Sequence, residues 1–212
     1  MMRCLKRGFT LIELIVVISV IAILMSFVLP ASQRALLSAR KQQARAHMQQ
    51  IARAYSTYYN EVGSIPDATS SVELAEKFAA EGFLNNANLF IYPGDAQAPK
   101  VLRETIFPVR NGHAWESNKE LSVVLVGNIV KNVNPATTPI AYTRGIEGNR
   151  WGENAPYGSR GGFIAFLDGN VRWYTDLAQD EGQLTTEESC SADLKHVIEL
   201  SGGRALSPKT PH

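Results

Sequence analysis

A run of apolar residues near the N-terminus constrains this chain more than any other feature. Residues 9–29 read FTLIELIVVISVIAILMSFVL, and Glu13 is the only strongly polar member. As an α-helix, 21 residues rise about 31 Å, which matches the hydrocarbon core of a bilayer at about 30 Å. The run therefore predicts a single membrane-spanning helix over residues 9–29.

The residues that flank this run predict its orientation. Arg3, Lys6 and Arg7 precede it, and the first eight residues contain no acid. Because basic residues favour the cytoplasmic side, the helix is expected to begin there and to send the rest of the chain across the membrane. A secretory signal peptide is one alternative, but its core is shorter and ends at a small-residue cleavage site. A plain anchor with an incidental Glu13 is another.

A short motif at the start of the run narrows these alternatives. Residues 7–14 read RGFTLIEL, which closely resembles the processing motif of type IV prepilins and type II secretion pseudopilins. In that family a prepilin peptidase of the bacterial inner membrane cuts after the glycine on the cytoplasmic side and methylates the new amine. The resemblance implies that residues 1–8 are a leader, that cleavage falls between Gly8 and Phe9, and that Phe9 becomes N-methylated.

The chemistry of the motif agrees with this resemblance. Gly8 has no side chain, so an enzyme can approach the backbone closely there. An ionisable group at the bilayer centre costs about 2.5–3.5 kcal/mol on insertion scales, so Glu13 needs a partner. The Phe9 amine is available within one helix or from a neighbouring copy, and snorkelling of Glu13 to the headgroups is the alternative. The resemblance implies the assembly role, in which the pair sets the register between subunits.

The helix is expected to continue beyond the membrane. Pro30 predicts a bend, but neither Gly nor Pro occurs between Ala31 and Glu61. We predict an amphipathic continuation over residues 30–62, with Tyr59 as a further core residue and Gly63 as the end signal. The apolar stripe comprises Leu37, Ala44, Met48, Ile51, Tyr55, Tyr58 and Val62.

The remaining sequence predicts a globular α+β domain over residues 63–200. Ser70 and Glu73 form a capping box before a short helix that ends near Gly82. A second short helix is expected from about Glu187 to Leu200, and residues 201–212 read as a disordered tail. Strands are predicted at residues 89–92, 121–126, 140–143 and 162–175. The predicted fold is pilin-like, with the long N-terminal helix packed on a small antiparallel sheet.

The last of these strand segments is predicted to be a hairpin. Asp168-Gly169 is a dipeptide typical of a type I′ turn. The segment also resembles a C-terminal module of prepilin-processed proteins, in which a histidine often precedes the turn. Ser159 and Arg160 occupy that neighbourhood here, which argues against a metal or catalytic role borrowed from the module.

Composition argues against several other functions. The net charge of +1 gives no electrostatic footprint for nucleic acid. Cys4 lies in the leader, so the mature chain would keep only Cys190 and form no internal disulfide. The chain is not expected to be an enzyme, because it contains no catalytic motif and its histidines are scattered. These histidines are His47, His113, His196 and His212.

Calcium is the one cofactor that the resemblance brings into question. The major pseudopilin of type II secretion, which this chain resembles in its first half, binds calcium in a C-terminal loop. Oxygen ligands are offered here by Asp168, Asn170, Asp176 and Asp180. Their spacing matches no EF-hand loop, and the turn already explains Asp168 and Asn170.

Two classes of function therefore follow from the sequence. The first is a structural subunit, pilin or pseudopilin, of a type IV pilus-like or type II secretion filament. Its implied partners are the prepilin peptidase, copies of itself or other pilins, an inner-membrane assembly platform and membrane lipid. The second is a processed, membrane-tethered periplasmic binding module that does not polymerise. Secretion pseudopilus, type IV pilus and competence fibre stay open as alternatives within the first class.

Overall fold

The computed structural model describes residues 10–106, 114–177 and 194–210. They fall into two compact units, residues 1–41 and residues 42–212, and the first helix runs through the division. The helices of this part of the chain are α1 (Leu11–Val62), α2 (Ser71–Ala80) and α3 (Leu194–Leu200). Its strands are β1 (Val123–Gly127), β2 (Pro139–Thr143), β3 (Ile146–Glu147), β4 (Arg150–Trp151), β5 (Gly162–Phe166), β6 (Val171–Tyr174) and β7 (Arg204–Ala205).

Helix α1 is continuous over 52 residues, with Pro30 in its interior. Proline removes one backbone donor, and serine side chains on either side of it bond to the helix backbone. The Ser26 hydroxyl donates to the Ile23 carbonyl at 2.6 Å, and the Ser32 hydroxyl donates to the Leu29 carbonyl at 2.8 Å. The helix nevertheless continues through Pro30.

The second half of α1 carries the predicted apolar stripe into the core. Ala44, Met48, Ile51, Tyr55 and Tyr58 are buried, which confirms five of the seven positions. Leu37 is half-buried, and the prediction for Val62 is wrong, because 46% of this residue is exposed where the helix ends. Ala52 and Ala54 are also buried, beside the predicted stripe.

The tyrosines of α1 connect it to the other elements of the core. The Tyr55 hydroxyl donates to the Val126 carbonyl on β1 at 3.0 Å. Its ring meets Phe78 of α2 edge-on, with 4.8 Å between the ring centroids. Tyr58 packs against the same phenylalanine at 5.0 Å. The predicted core role of these tyrosines is confirmed, while Tyr59 is half-buried and its hydroxyl contacts the backbone at Val130.

The main sheet has five strands in the order β6-β5-β2-β1-β7, and every neighbouring pair is antiparallel. All five residues of β1 and of β5 are buried. Strands β3 and β4 form a separate two-stranded hairpin. The predicted α+β fold, with a long N-terminal helix packed on a small antiparallel sheet, is therefore confirmed.

Hairpin β5–β6 has the predicted strands but a different turn. The Gly169 amide donates to the Phe166 carbonyl at 3.0 Å, and the Phe166 amide donates to the Asn170 carbonyl at 2.9 Å. Gly169 has a φ of 87°, whereas Asp168 has no positive φ. A type I′ turn requires positive φ at both central residues, so that prediction is wrong. The loop has three residues, with glycine in the left-handed position.

The predicted strand at residues 89–92 is also wrong, because Ala87–Phe90 forms a 3-10 helix. The Asn86 side chain caps this turn by accepting the Asn88 amide at 3.0 Å. Phe90 is buried against Trp115, whose indole nitrogen donates to the Ala87 carbonyl at 3.0 Å. These apolar residues are therefore core residues of a capped turn.

The C-terminal residues 201–210 are structured, which corrects the expectation of a disordered tail. Strand β7 pairs with the edge of β1, and Ser207 and Lys209 form bridges to other segments. Leu206 and Thr210 are buried. The segment is polar in composition, but its backbone groups find partners along a sheet edge that would otherwise be open.

The ends of the short helices agree with their sequence signals. The Ser70 hydroxyl accepts the Glu73 amide at 3.2 Å at the start of α2. Gly82 follows the end of α2 with a φ of 83°, as a left-handed capping residue does. Helix α3 lies within the helix predicted for residues 187–200, of which residues 187–193 lie outside the described part.

Candidate processing and assembly site

The first half of α1 is apolar and has nothing packed on it. Every residue from Thr10 to Leu36 is exposed. An 18-residue window of this helix has a mean hydropathy of 2.9, and none of it is buried. Within the described residues, α1 is the helix long and apolar enough to cross a membrane. Because so long an exposed apolar surface is unfavourable in water, the segment requires lipid or other helices around it.

Glu13 lies in the first turn of this apolar helix and is bound by Thr10. Its Oε2 atom accepts the Thr10 backbone amide at 2.9 Å and the Thr10 hydroxyl at 2.7 Å. The Thr10 hydroxyl oxygen in turn accepts the Glu13 amide at 3.4 Å. This reciprocal arrangement is a capping box, which satisfies backbone donors at the start of a helix. Both hydrogen bonds to the carboxylate end on one oxygen.

The capping role of Thr10 was missed by the sequence analysis. A threonine three residues before a glutamate, at the start of an apolar run, is the pattern that marks such a cap. Within the described residues the Glu13 carboxylate has no cationic partner, and Oε1 makes no hydrogen bond. The carboxylate therefore keeps one oxygen available for a group supplied from elsewhere.

Gly8 and Phe9, the predicted cleavage pair, lie outside the described residues. Their processing and the methylation of Phe9 therefore stay predictions. The distance along the chain is fixed by the sequence, which places Phe9 four residues before Glu13.

Of the proposed calcium ligands, Asp168 and Asn170 contact each other, whereas Asp176 lies at the other end of β6. Asp168 lies in the β5–β6 loop, where its Oδ1 accepts the Asn170 amide at 2.9 Å. Asp176 follows the far end of β6, about 20 Å away at about 3.3 Å per residue. Asp180 lies outside the described residues. The described residues include no group of three or more His, Cys, Asp or Glu side chains that could hold a metal.

Asp176 also has another role. Its carboxylate accepts from the Arg150 guanidinium at 2.6 and 2.7 Å, and the Asp176 residue is buried. The two residues form an isolated antiparallel bridge as well. Asp176 therefore holds the β3–β4 hairpin beside the main sheet.

The histidines that the structure describes do not form a catalytic group. His47 lies on α1, and its ring is half-buried beside Ile91. Burial lowers the pKa of His47, against a smaller opposite effect of a backbone hydrogen bond at Ile91. His196 lies on α3, and His113 and His212 lie outside the described residues.

A groove of about 460 Å³ lies in the second unit, beside α3 and strand β7. Tyr142, Ile146 and Ile198 contribute apolar surface, while Lys195 and Glu199 add charge. Burial raises the pKa of Tyr142 to about 12, so its hydroxyl stays protonated at neutral pH. The groove was not anticipated from the sequence, because its walls come from distant segments.

Comparison with known proteins addresses the N-terminal segment. Residues 3–29 match the family model of the prokaryotic N-terminal methylation motif. No curated protein and no solved structure matches the chain. The match includes Gly8, Phe9, Thr10 and Glu13, together with most of the exposed apolar helix. The chain therefore carries the N-terminal signature of prepilin-type processed proteins, on a helix suited to anchor it in a membrane.

Proposed function

We propose that this chain is a structural subunit of a type IV pilin-like or type II secretion filament. In this proposal a prepilin peptidase cuts after Gly8 and methylates Phe9, and the chain waits in the bacterial inner membrane with its new N-terminus at the cytoplasmic side. The second unit is then periplasmic or part of an extracellular filament. An assembly platform transfers the subunit from lipid into the filament.

The observation that carries this proposal is the methylation motif on an exposed apolar helix that contains one acid. Lipid surrounds such a helix before assembly, and the helices of other copies can replace that lipid without exposing apolar surface to water. Glu13 is the single charged side chain between residues 9 and 33, and the amine of a neighbouring Phe9 is a partner of opposite sign. Such a pair would fix the axial position of each subunit.

Processing is tested by co-expression of the precursor with a prepilin peptidase and intact-protein mass spectrometry. A mature chain that begins with N-methylated Phe9 supports the proposal. An intact Met1 or a cut near Ala31 contradicts it. Replacement of Gly8 by a bulky residue such as leucine should block the cut, because the peptidase must reach the backbone at that bond.

Assembly is tested with Glu13→Gln, which removes the charge and keeps the shape of the side chain. We expect the variant to be membrane-bound but to lose incorporation into filaments. Ser26→Ala is the matched control, because it removes a polar group from the same helix whose hydroxyl bonds only to its own backbone. Equal incorporation of Glu13→Gln and the parent chain would contradict the register mechanism.

The second candidate is a processed, membrane-tethered binding module that does not polymerise. The groove beside α3 favours it, because ligand sites commonly have volumes of about 300–1,000 Å³ and mostly apolar walls. A tethered binder would keep its ligand affinity in Glu13→Gln. Replacement of the exposed Glu199 by tryptophan would fill the groove and abolish ligand binding, while a filament subunit would still assemble.

A further inference from the structure

The solvent-exposed face of α1 in the second unit has an unusual charge pattern. Its exposed positions between residues 42 and 60 are amides, small residues and two arginines, Arg45 and Arg53. No acid occurs between Glu13 and Glu61. A solvated helix face usually mixes both signs, with opposite charges three or four residues apart. The two arginines have no such partner on their own helix.

The rest of the unit does not neutralise them either. In the parts of the chain that the structure describes, Arg45 and Arg53 make no ion pair or hydrogen bond, and both are exposed. Eight residues separate them, which is about 12 Å along the axis and about 80° around it. The pair therefore forms one cationic surface, here called the arginine face.

An acidic surface lies on and directly after the β3–β4 hairpin. Glu147 and Glu153 are exposed, and neither makes an ion pair among the residues that are described. The Glu147 carboxylate lies against Gly152, the residue that precedes Glu153. Arg150, the base within this hairpin, is already bound to Asp176. The hairpin therefore presents two carboxylates that are not neutralised, here called the acidic corner.

The charge of the whole sequence is divided in the same way. Residues 30–62 contain five basic and one acidic side chain, whereas residues 63–212 contain 13 basic and 18 acidic ones. The acidic excess opposes the approach of a polyanion such as nucleic acid, whose binding depends on neutralised phosphates. It favours association between the arginine face and the acidic portion of another molecule of the same kind.

We propose that the arginine face of one chain binds the acidic corner of a second copy. This inference rests on the proposed filament function and names the lateral contact between its subunits. Exposed ion pairs are individually weak. Because the contact repeats along a filament, the free energies of many weak ion pairs add up. Like charges would face each other and repel if neighbouring subunits were in a wrong register. The contact therefore adds lateral register to the axial position set by the N-terminal helix.

Disulfide trapping in the full processed chain tests the contact. Ala46→Cys places a thiol beside Arg45, and Asn149→Cys places one on the acidic corner, with Cys190→Ser as background. We expect disulfide-linked dimers and ladders between copies.

Reversal of the charges tests the ionic nature of the contact. The yield of disulfide-linked species should fall about tenfold in Arg45→Glu/Arg53→Glu and recover when Glu147→Arg/Glu153→Arg is added. Raising the salt concentration from about 0.1 M to 1 M shortens the Debye length from about 10 to 3 Å, so it should also lower the disulfide yield.

The matched control is Arg172→Glu, which reverses an exposed arginine on β6 that belongs to neither surface. Its disulfide yield should equal that of the parent. Unchanged thermal midpoints of the variants would show that the fold is kept.

The outcomes separate the two proposals. If filaments form and Arg45→Glu/Arg53→Glu is incorporated within twofold of the parent, the contact is wrong and the filament function stands. If the disulfide forms without filaments, the contact stands and the filament function is wrong. A chain that does neither overturns both. The remaining outcome is that Arg45→Glu/Arg53→Glu keeps the disulfide yield of the parent and loses the parent's binding to duplex DNA or anionic vesicles. That result would assign the arginine face to a polyanion and refute the contact.

Discussion

A buried ion pair between Arg144 and Asp95 gives the sharpest prediction about stability. The Arg144 guanidinium and the Asp95 carboxylate are 2.6 Å apart, and only 2% and 3% of their side chains are exposed. Arg144 also donates to the Gln97 side chain at 2.9 Å and to the Asn154 carbonyl at 2.7 Å. The other Asp95 oxygen accepts the Ser122 hydroxyl at 2.6 Å.

The perturbation is Asp95→Asn, which keeps the shape of the side chain and removes its charge. The buried guanidinium then keeps only the half-exposed Glu120 carboxylate, at 3.9 Å, as a counter-charge, and removal of one partner from a buried pair costs about 3–5 kcal/mol. Since domains have about 5–15 kcal/mol of stability, this is a large fraction. At about 2–4 °C per kcal/mol, the thermal midpoint should fall by roughly 6–20 °C.

The assay is urea and thermal unfolding of a soluble fragment that covers residues 42–212, after two-state unfolding of the parent fragment has been established. Asp67→Asn is the matched control, because Asp67 pairs with Arg204 at 2.9 Å but both side chains are 56% exposed. That pair should be worth less than about 1 kcal/mol. Removing both charges with Asp95→Asn/Arg144→Met should recover part of the loss. Equal effects of Asp95→Asn and Asp67→Asn would refute the reasoning.

Three further predictions concern the same fragment. Leu206→Ala should cost about 2–5 kcal/mol in urea unfolding, because the side chain is buried, whereas Leu102→Ala, at 63% exposure, should stay within about 0.5 kcal/mol; equal costs would show that the C-terminal segment is not part of the core. Hydrogen bonds from Thr69 and a pair with a lysine lower the pKa of Glu73 to about 2. Because this folded-state pKa lies below the unfolded value of about 4.5, the contribution is present above about pH 5 and is lost as the pH falls towards 2. Glu73→Gln should therefore flatten the acid side of the stability profile, by less than about 1 kcal/mol since the group is exposed, and an unchanged profile would contradict the assignment. Gly145→Ala should destabilise by about 1–3 kcal/mol, because φ is 86° and a Cβ would lie 2.9 Å from a neighbouring loop; an unchanged melting temperature would argue against that close approach.

Much of the α-helical part could be predicted because its signals are local. The apolar run predicts a membrane helix from length and hydropathy alone, and the spacing of Ala44, Met48, Ile51 and Tyr55 predicts the buried side of α1. The cap at Ser70 and the glycine after α2 are also local signals. Each of these features depends on residues within one or two helical turns of each other, so the local sequence is sufficient to predict it.

The errors fall where local and distant causes compete. Residues 89–92 have the composition of a strand, but no neighbouring strand pairs with them, and Trp115 covers the turn that they form. The polar residues 201–210 have the composition of a disordered tail, but β1 offers them an unpaired edge. In the β5–β6 loop the choice between turn types depends on which residues the flanking strands pair, and Asp-Gly fits more than one register.

The apolar N-terminal helix, the prepilin-type motif and the position of Glu13 can all be read from consecutive residues, because their chemistry does not depend on the rest of the fold. The tertiary fold, by contrast, brings Asp95 to Arg144 in the core, Asp176 to Arg150, and the Glu147 carboxylate against Gly152. These pairs are separated by up to 49 residues. Burial and charge pairing between such positions depend on the path of the whole chain, which no local pattern encodes.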